Sequence, residues 1–109
     1  MTEIQEIIDK LIEFRNERDW EQFHNSKDLA VAISVEANEL LELFLWKKPE
    51  EANKERIKEE LADVFAFAFL LAQKHNLDVK EIILEKIKSN SEKYPVDKSK
   101  GSAKKYNEL

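Results

Sequence analysis

The chain has 109 residues, a formal net charge of −5, 38% charged and 42% hydrophobic residues, one Gly, two Pro and no Cys. The single glycine, Gly101, excludes the P-loop and the G-x-G-x-x-G turn, which need several glycines where backbone meets phosphate, and it disfavours hairpin-rich β folds. The lack of Cys removes disulfides, thiolate zinc sites and cysteine nucleophiles, and the acidic pI of about 5.2 disfavours a broad surface for nucleic-acid polymers.

Apolar residues at helical spacing (Ile4, Ile7, Ile8, Leu11, Ile12, Phe14) predict a first helix from about Thr2 to Arg18, with Thr2 as its N-cap. The stretch from Asp19 to Ser26 has no periodicity and reads as a connection. Ser26 is expected to cap a second helix running to about Trp46, closed by Lys47, Lys48 and Pro49. A third helix is expected from Pro49 or Glu50 to His75, polar in its first half and apolar on nearly every side in its second. The fourth opens at Asp78, with Glu81 three residues on, and stops before Pro95. The pattern predicts an all-α, four-helix up-and-down bundle: one domain over residues 1–96, then a short basic tail over 97–109.

The stretch Leu61 to Phe69 is apolar around the whole helix, and covering it needs more than three neighbours of this length, so self-association through the second and third helices is expected. The acidic N-terminus does not look like a secretory signal. The longest apolar run, Leu61 to Ala72, contains Asp63 and is too short to cross a bilayer. The chain therefore reads as a soluble, cytoplasmic protein without a membrane partner.

Two carboxylate pairs carry the chemistry. Glu36 and Glu39 lie one turn apart on the second helix, and Glu60 and Asp63 repeat that spacing on the third, so each pair points one way. Asp63 sits inside the apolar run with no Lys or Arg within a turn, and a lone carboxylate there costs several kcal/mol to bury. Arg56 lies one turn before Glu60, so an ordinary surface pair is the competing reading for that residue. Four converging acids would repel by about 4 kcal/mol per close pair at an effective dielectric of ~20. A multivalent cation or protonation relieves this, and an all-oxygen ligand set prefers Mg²⁺, or Mn²⁺, over zinc.

A di-iron carboxylate bundle would need an E-x-x-H pair on each of two helices. Glu21 and His24 give one, but Ala72 stands where the second Glu would precede His75. His75 fits better as a residue near a helix C-terminus, where its partial positive charge is favourable. On the fourth helix Lys86, Asn90 and Lys93 share a face at i, i+4, i+7, with Tyr94 on a neighbouring stripe. Two ammonium groups and an amide there suit phosphate oxygens; a solvated Lys-rich face is the alternative. Trp20 and Trp46 flank helix ends, as walls of a flat pocket or as packing residues.

E-x-x-E at Glu36 and Glu39 followed by E-x-x-D at Glu60 and Asp63 resembles the signature of the MazG-like all-α nucleoside triphosphate pyrophosphohydrolases. R-D-W-E-Q-F-H from Arg18 to His24, E-L-x-E-L-F-x-W from Glu39 to Trp46, E-E-L-A-D-V from Glu59 to Val64, N-x-x-K-Y-P from Asn90 to Pro95 and the terminal K-K-Y-N-E-L look like the dCTP pyrophosphatase branch. The resemblance implies a Mg²⁺-dependent enzyme that cleans the nucleotide pool by converting a (deoxy)nucleoside triphosphate to its monophosphate and pyrophosphate. It implies Glu36, Glu39, Glu60 and Asp63 as metal ligands and catalytic acids, and Trp20 and Trp46 as base-pocket residues. Lys86, Asn90, Lys93 and Tyr94 then face the phosphates, in a homodimer or homotetramer. The chain departs from the animal dCTP enzymes at Leu11, where they carry His, and at Phe67, where they carry Tyr, which weakens the case for cytosine more than that for triphosphate hydrolysis. A non-enzymatic helical interaction module, its acids a salt-bridged surface, is the competing class.

Overall fold

A computed structural model of the chain describes residues 2–109. Five α-helices and no strand occur among the described residues, so the all-α expectation holds and the four long helices fall in the predicted order. They belong to two compact units, one ending at Leu77 and the other running from Asp78 to Leu109.

In the first unit, α1 (Glu3–Glu17) begins where the Thr2 hydroxyl accepts the Gln5 amide at 3.1 Å. It closes with the Trp20 amide donating to the Arg15 carbonyl and Asp19 in the left-handed region at φ 53. This is a Schellman-type end in which Asp19 takes the place usual for Gly. The closure turns Trp20 back onto α1, edge-to-face against Phe14 with ring centroids 5.7 Å apart.

α2 (Ser26–Glu42) differs from expectation at both ends. Asn25, not Ser26, is the cap: its side chain accepts the Asp28 amide at 2.8 Å, which makes Ser26 the first helical residue. The helix stops at Glu42 rather than Trp46, because the Leu43, Phe44 and Leu45 amides donate three residues back and tighten the chain into 3₁₀-type turns. Trp46 then sits at φ 62.

α3 (Lys54–Lys74) starts later than Pro49 or Glu50. Residues 49–51 form a separate 3₁₀ turn, and the Asn53 side chain accepts the Glu55 and Arg56 amides at 2.9 and 3.2 Å, fixing a new cap. A local side-chain acceptor outcompetes continuation of the helix through Ala52. At the far end His75 is the cap residue, as its position near a C-terminus suggested, and Asn76 takes the left-handed conformation at φ 55.

α3 packs along α2 and against α1. α2 and α3 are antiparallel: Ser26 Oγ at the start of α2 lies 2.9 Å from His75 Nε2 just past the end of α3, while the second half of α2 meets the first half of α3. Ile8, Leu29, Leu70 and Ala72 form the buried core, with Leu29 2% exposed. Outside that core Val31, Val35, Leu61 and Phe65 stay substantially exposed, so the chain does not itself cover the apolar surround of α3.

The second unit holds α4 (Val79–Lys93), capped as expected by the Asp78 side chain accepting the Glu81 amide at 2.9 Å. After Pro95 the segment read as a tail contains a short α5 (Val96–Ser99) and turns at Gly101, φ 77, before a last 3₁₀ turn at Tyr106–Glu108. Tyr106 returns onto the end of α4, 6.1 Å from Tyr94 between ring centroids, with Lys93 Nζ 5.0 Å above its ring. No helix among the described residues is long and apolar enough to cross a membrane.

Candidate metal centre and adjoining cavity

The i, i+3 spacing turns each acid pair toward one side of its helix, and the antiparallel pairing of α2 with α3 brings the two pairs together. Ligand oxygens of Glu36, Glu60 and Asp63 all lie within 4.8 Å of one another. Opposed ligands of a single divalent cation lie about 4 to 5 Å apart, so this spread is compatible with one coordination sphere. Glu39 does not join the three converging atoms, yet it is close enough to Glu36 and Glu60 to share a proton with either.

Burial is unequal, and one expectation is reversed. Asp63, read as a carboxylate buried in the apolar run and in need of a neutralising partner, is exposed in this chain and borders an open cavity. The desolvated acids are Glu36 and Glu60, the latter with its side chain only 12% exposed. Glu36 Oε2 and Glu60 Oε2 are both buried without a donor. Hydrogen bonds between these acids exist only when one of them is protonated. Burial first, then the hydrogen bond and charge of Glu39 and the charge of Asp63, push the Glu36 carboxyl up to about 7. Burial and Glu39 raise Glu60 as well. The suspected Arg56 partner of Glu60 is present but stands 4.0 Å away with its own side chain 58% exposed, so it offsets little. Two orphaned oxygens in an all-oxygen donor set fit a hard divalent cation.

Asp63 also lines a cavity of about 550 Å³ between α1 and α3, walled by Leu11, Phe14, Trp20, Phe67 and Leu70. Of the two tryptophans, Trp20 is in that wall, delivered by the Schellman closure of α1. Trp46 stands 99% exposed and is not brought to the cavity by this chain. Leu11 and Phe67, the two departures from the dCTP-enzyme pattern, are both wall residues. Lys86, Asn90, Lys93 and Tyr94 lie on or at the end of α4: Lys86 and Asn90 are exposed, and Lys93 and Tyr94 engage Tyr106. Sequence reasoning did not place Lys10, Phe14, Arg15 and His24 in the wall. The i, i+3 and i, i+4 steps from Leu11 to Phe14 and Arg15 were the available signal.

The MazG-like family model matches residues 31–109, and the chain belongs to that family. Its curated relatives include dCTP pyrophosphatase 1 of Mus musculus, 42% identical over 105 residues, and that of Homo sapiens, 39% identical; each alignment covers 89% of this chain. The chain spans 62% of the length of these relatives. Among solved structures it is similar to a pyrophosphatase of Archaeoglobus fulgidus, with a TM-score of 0.81 and 35% identity over 87% of this chain and 94% of that one.

Proposed function

We propose that the chain is a Mg²⁺-dependent pyrophosphohydrolase, with Mn²⁺ as a substitute ion, that converts a (deoxy)nucleoside triphosphate to its monophosphate and pyrophosphate. A dCTP-type nucleotide, plain or modified, is the proposed substrate, and cytoplasmic sanitising of the nucleotide pool the proposed role. The supporting observation is that Asp63 belongs to the acid cluster and to the wall of the aromatic cavity at once, so polyphosphate and base have adjacent places.

In this reading Glu36, Glu60 and Asp63 hold the cation, and Glu39 completes the ligand set or orients the attacking water. When bound, a divalent cation supplies charge neutralisation at the phosphates and lowers the pKa of water. Phosphoryl transfer to water needs little covalent work from the protein, so positioning decides the rate. Trp20, Phe14 and Phe67 stack on the base and exclude water from its faces. Lys86, Asn90, Lys93 and Tyr94 are assigned to phosphate oxygens on the family resemblance, a role their ammonium, amide and hydroxyl groups suit. Trp46, nearly bare in one chain, reaches substrate in a homodimer or homotetramer, a state favoured by the exposed Val31, Val35, Leu61 and Phe65.

The test is pyrophosphate release across the common and 5-substituted nucleotides, with Mg²⁺ and with EDTA. Release that requires the metal and is greatest for a dCTP-type nucleotide supports the proposal; no release from any nucleotide with Mg²⁺ refutes it. A melting temperature indifferent to Mg²⁺ and nucleotide together would favour the interaction module instead.

A further inference from the structure

The cavity beside the acids is mostly hydrocarbon, and few polar groups border it. Arg15 is already engaged: Nε and Nη2 donate to Asn16 Oδ1 at 3.2 and 3.1 Å, and Nη2 lies 3.7 Å from Glu21. Asp63 belongs to the acid cluster, and Lys10 is an exposed ammonium on α1. His24 is left. Its ring stands edge-on to Phe67, centroids 6.3 Å apart at 78°, and its Nδ1 is buried with no hydrogen-bond partner. Access to the ring is therefore through Nε2. A buried acceptor is left unpaired more readily than a buried N–H, so the neutral ring carries its proton on Nε2. Burial, then the charges of Arg15 and Lys74, lower the His24 pKa and keep the ring neutral at pH 7.

We propose that His24 determines base specificity, its Nε2–H donating a hydrogen bond to a ring nitrogen or carbonyl oxygen on the edge of the base held in the cavity. Leu11 and Phe67 offer that edge no polar group, so the contact falls to His24. A site built around a donor rejects bases that lack the matching acceptor more strongly than an apolar wall can. The inference rests on the nucleotide reading above and names the residue that reads the base.

Three substitutions separate recognition from packing. His24→Phe keeps ring size and removes the donor; His24→Gln puts an amide N–H near the position of Nε2, and His24→Asn near that of Nδ1. For the best nucleotide, His24→Phe is expected to lower kcat/KM by about three- to tenfold, the worth of one neutral hydrogen bond, with the loss in KM rather than kcat. Gln should restore most of the loss and Asn should not. Unchanged kcat/KM in His24→Phe, or equal behaviour of Gln and Asn, overturns the proposal. Should His24→Phe fail to fold, the Gln and Asn comparison decides. A second measurement uses the wild-type full chain with ¹⁵N-labelled histidine, titrated with 2′-deoxycytidine. The His24 Nε2 signal should move while that of His75, paired with Ser26, stays; no movement of His24 at saturation overturns the proposal. The nucleoside has no phosphate, so this titration answers for His24 even where pyrophosphate release is nil, a result that counts against the hydrolase reading alone.

Discussion

Glu36→Gln removes one charge from the acid cluster while keeping its shape and adding an amide donor beside Glu39 and Glu60. The carboxylate oxygens of Glu36 and Asp63 lie within 4.8 Å, where two unit charges repel by about 3 kcal/mol at an effective dielectric of ~20; solvent around the exposed Asp63 reduces that to about 1 kcal/mol. For a chain of this length, about 1 kcal/mol is ~4 °C in Tm. The Glu36 carboxyl is pushed up to about 7 from an ordinary 4.5. A raised acid pKa leaves its stabilisation intact below the ordinary value and loses it as pH climbs through the folded value. Metal-free wild type should therefore weaken between pH 4.5 and 7, and the variant should be spared that part of the loss. In EDTA the two proteins are expected to melt together at pH 5 and to separate by ~4 °C at pH 8, with the variant higher. Millimolar Mg²⁺ should then raise the wild type at pH 8 and leave the variant little changed. Scanning calorimetry at the two pH values reads all of this. A variant that melts lower than wild type in EDTA at pH 8, or a gap equally wide at pH 5, would refute the account of Glu36 as an acid under repulsion.

Asp63→Asn is expected to abolish pyrophosphate release while circular dichroism and Tm stay near wild type, since Asp63 is exposed and holds up no core; retained turnover would remove it from the site. Leu29→Ala should cost about 3 kcal/mol in urea unfolding, because the side chain is 2% exposed and the helices around it cannot collapse fully into the gap. Asn53→Ala should cost about 1 kcal/mol by freeing the two amides it caps, seen as a lower urea midpoint with an unchanged m-value. Trp46→Gly relieves a left-handed backbone at φ 62 and should leave Tm level or slightly higher while raising KM for the nucleotide; an unchanged KM would make Trp46 a bystander.

Much of this was readable from residue pattern. The 3.6-residue periodicity located all four long helices, and the matched i, i+3 acid pairs pointed to the convergence that Glu36, Glu60 and Asp63 show. The helix ends were harder. Asn25 and Ser26 are both good caps standing side by side, and only tertiary geometry selects between them. Pro49 reads as a helix start, yet Asn53 offers a better one four residues later. With a single Gly in the chain, the usual marker of left-handed closures is missing, so Asp19 and Asn76 gave no warning of their conformation. Asp63 misled because periodicity reports which way a side chain points but not whether another helix covers it. The cavity beside it depends on the meeting of α1 and α3, a long-range event that no local pattern encodes.

The acids lie part-way along two helices that run in opposite directions, and this makes the cluster a gauge of their alignment. A slip of one helix by a single turn, 5.4 Å, exceeds the spread of the three ligand oxygens and would take one pair out of reach of the other. Cation binding thus rewards a single registration of α2 on α3, and withdrawing the ion should loosen amide protection first across this pair, with Ser26 and His75 still clasping its far end.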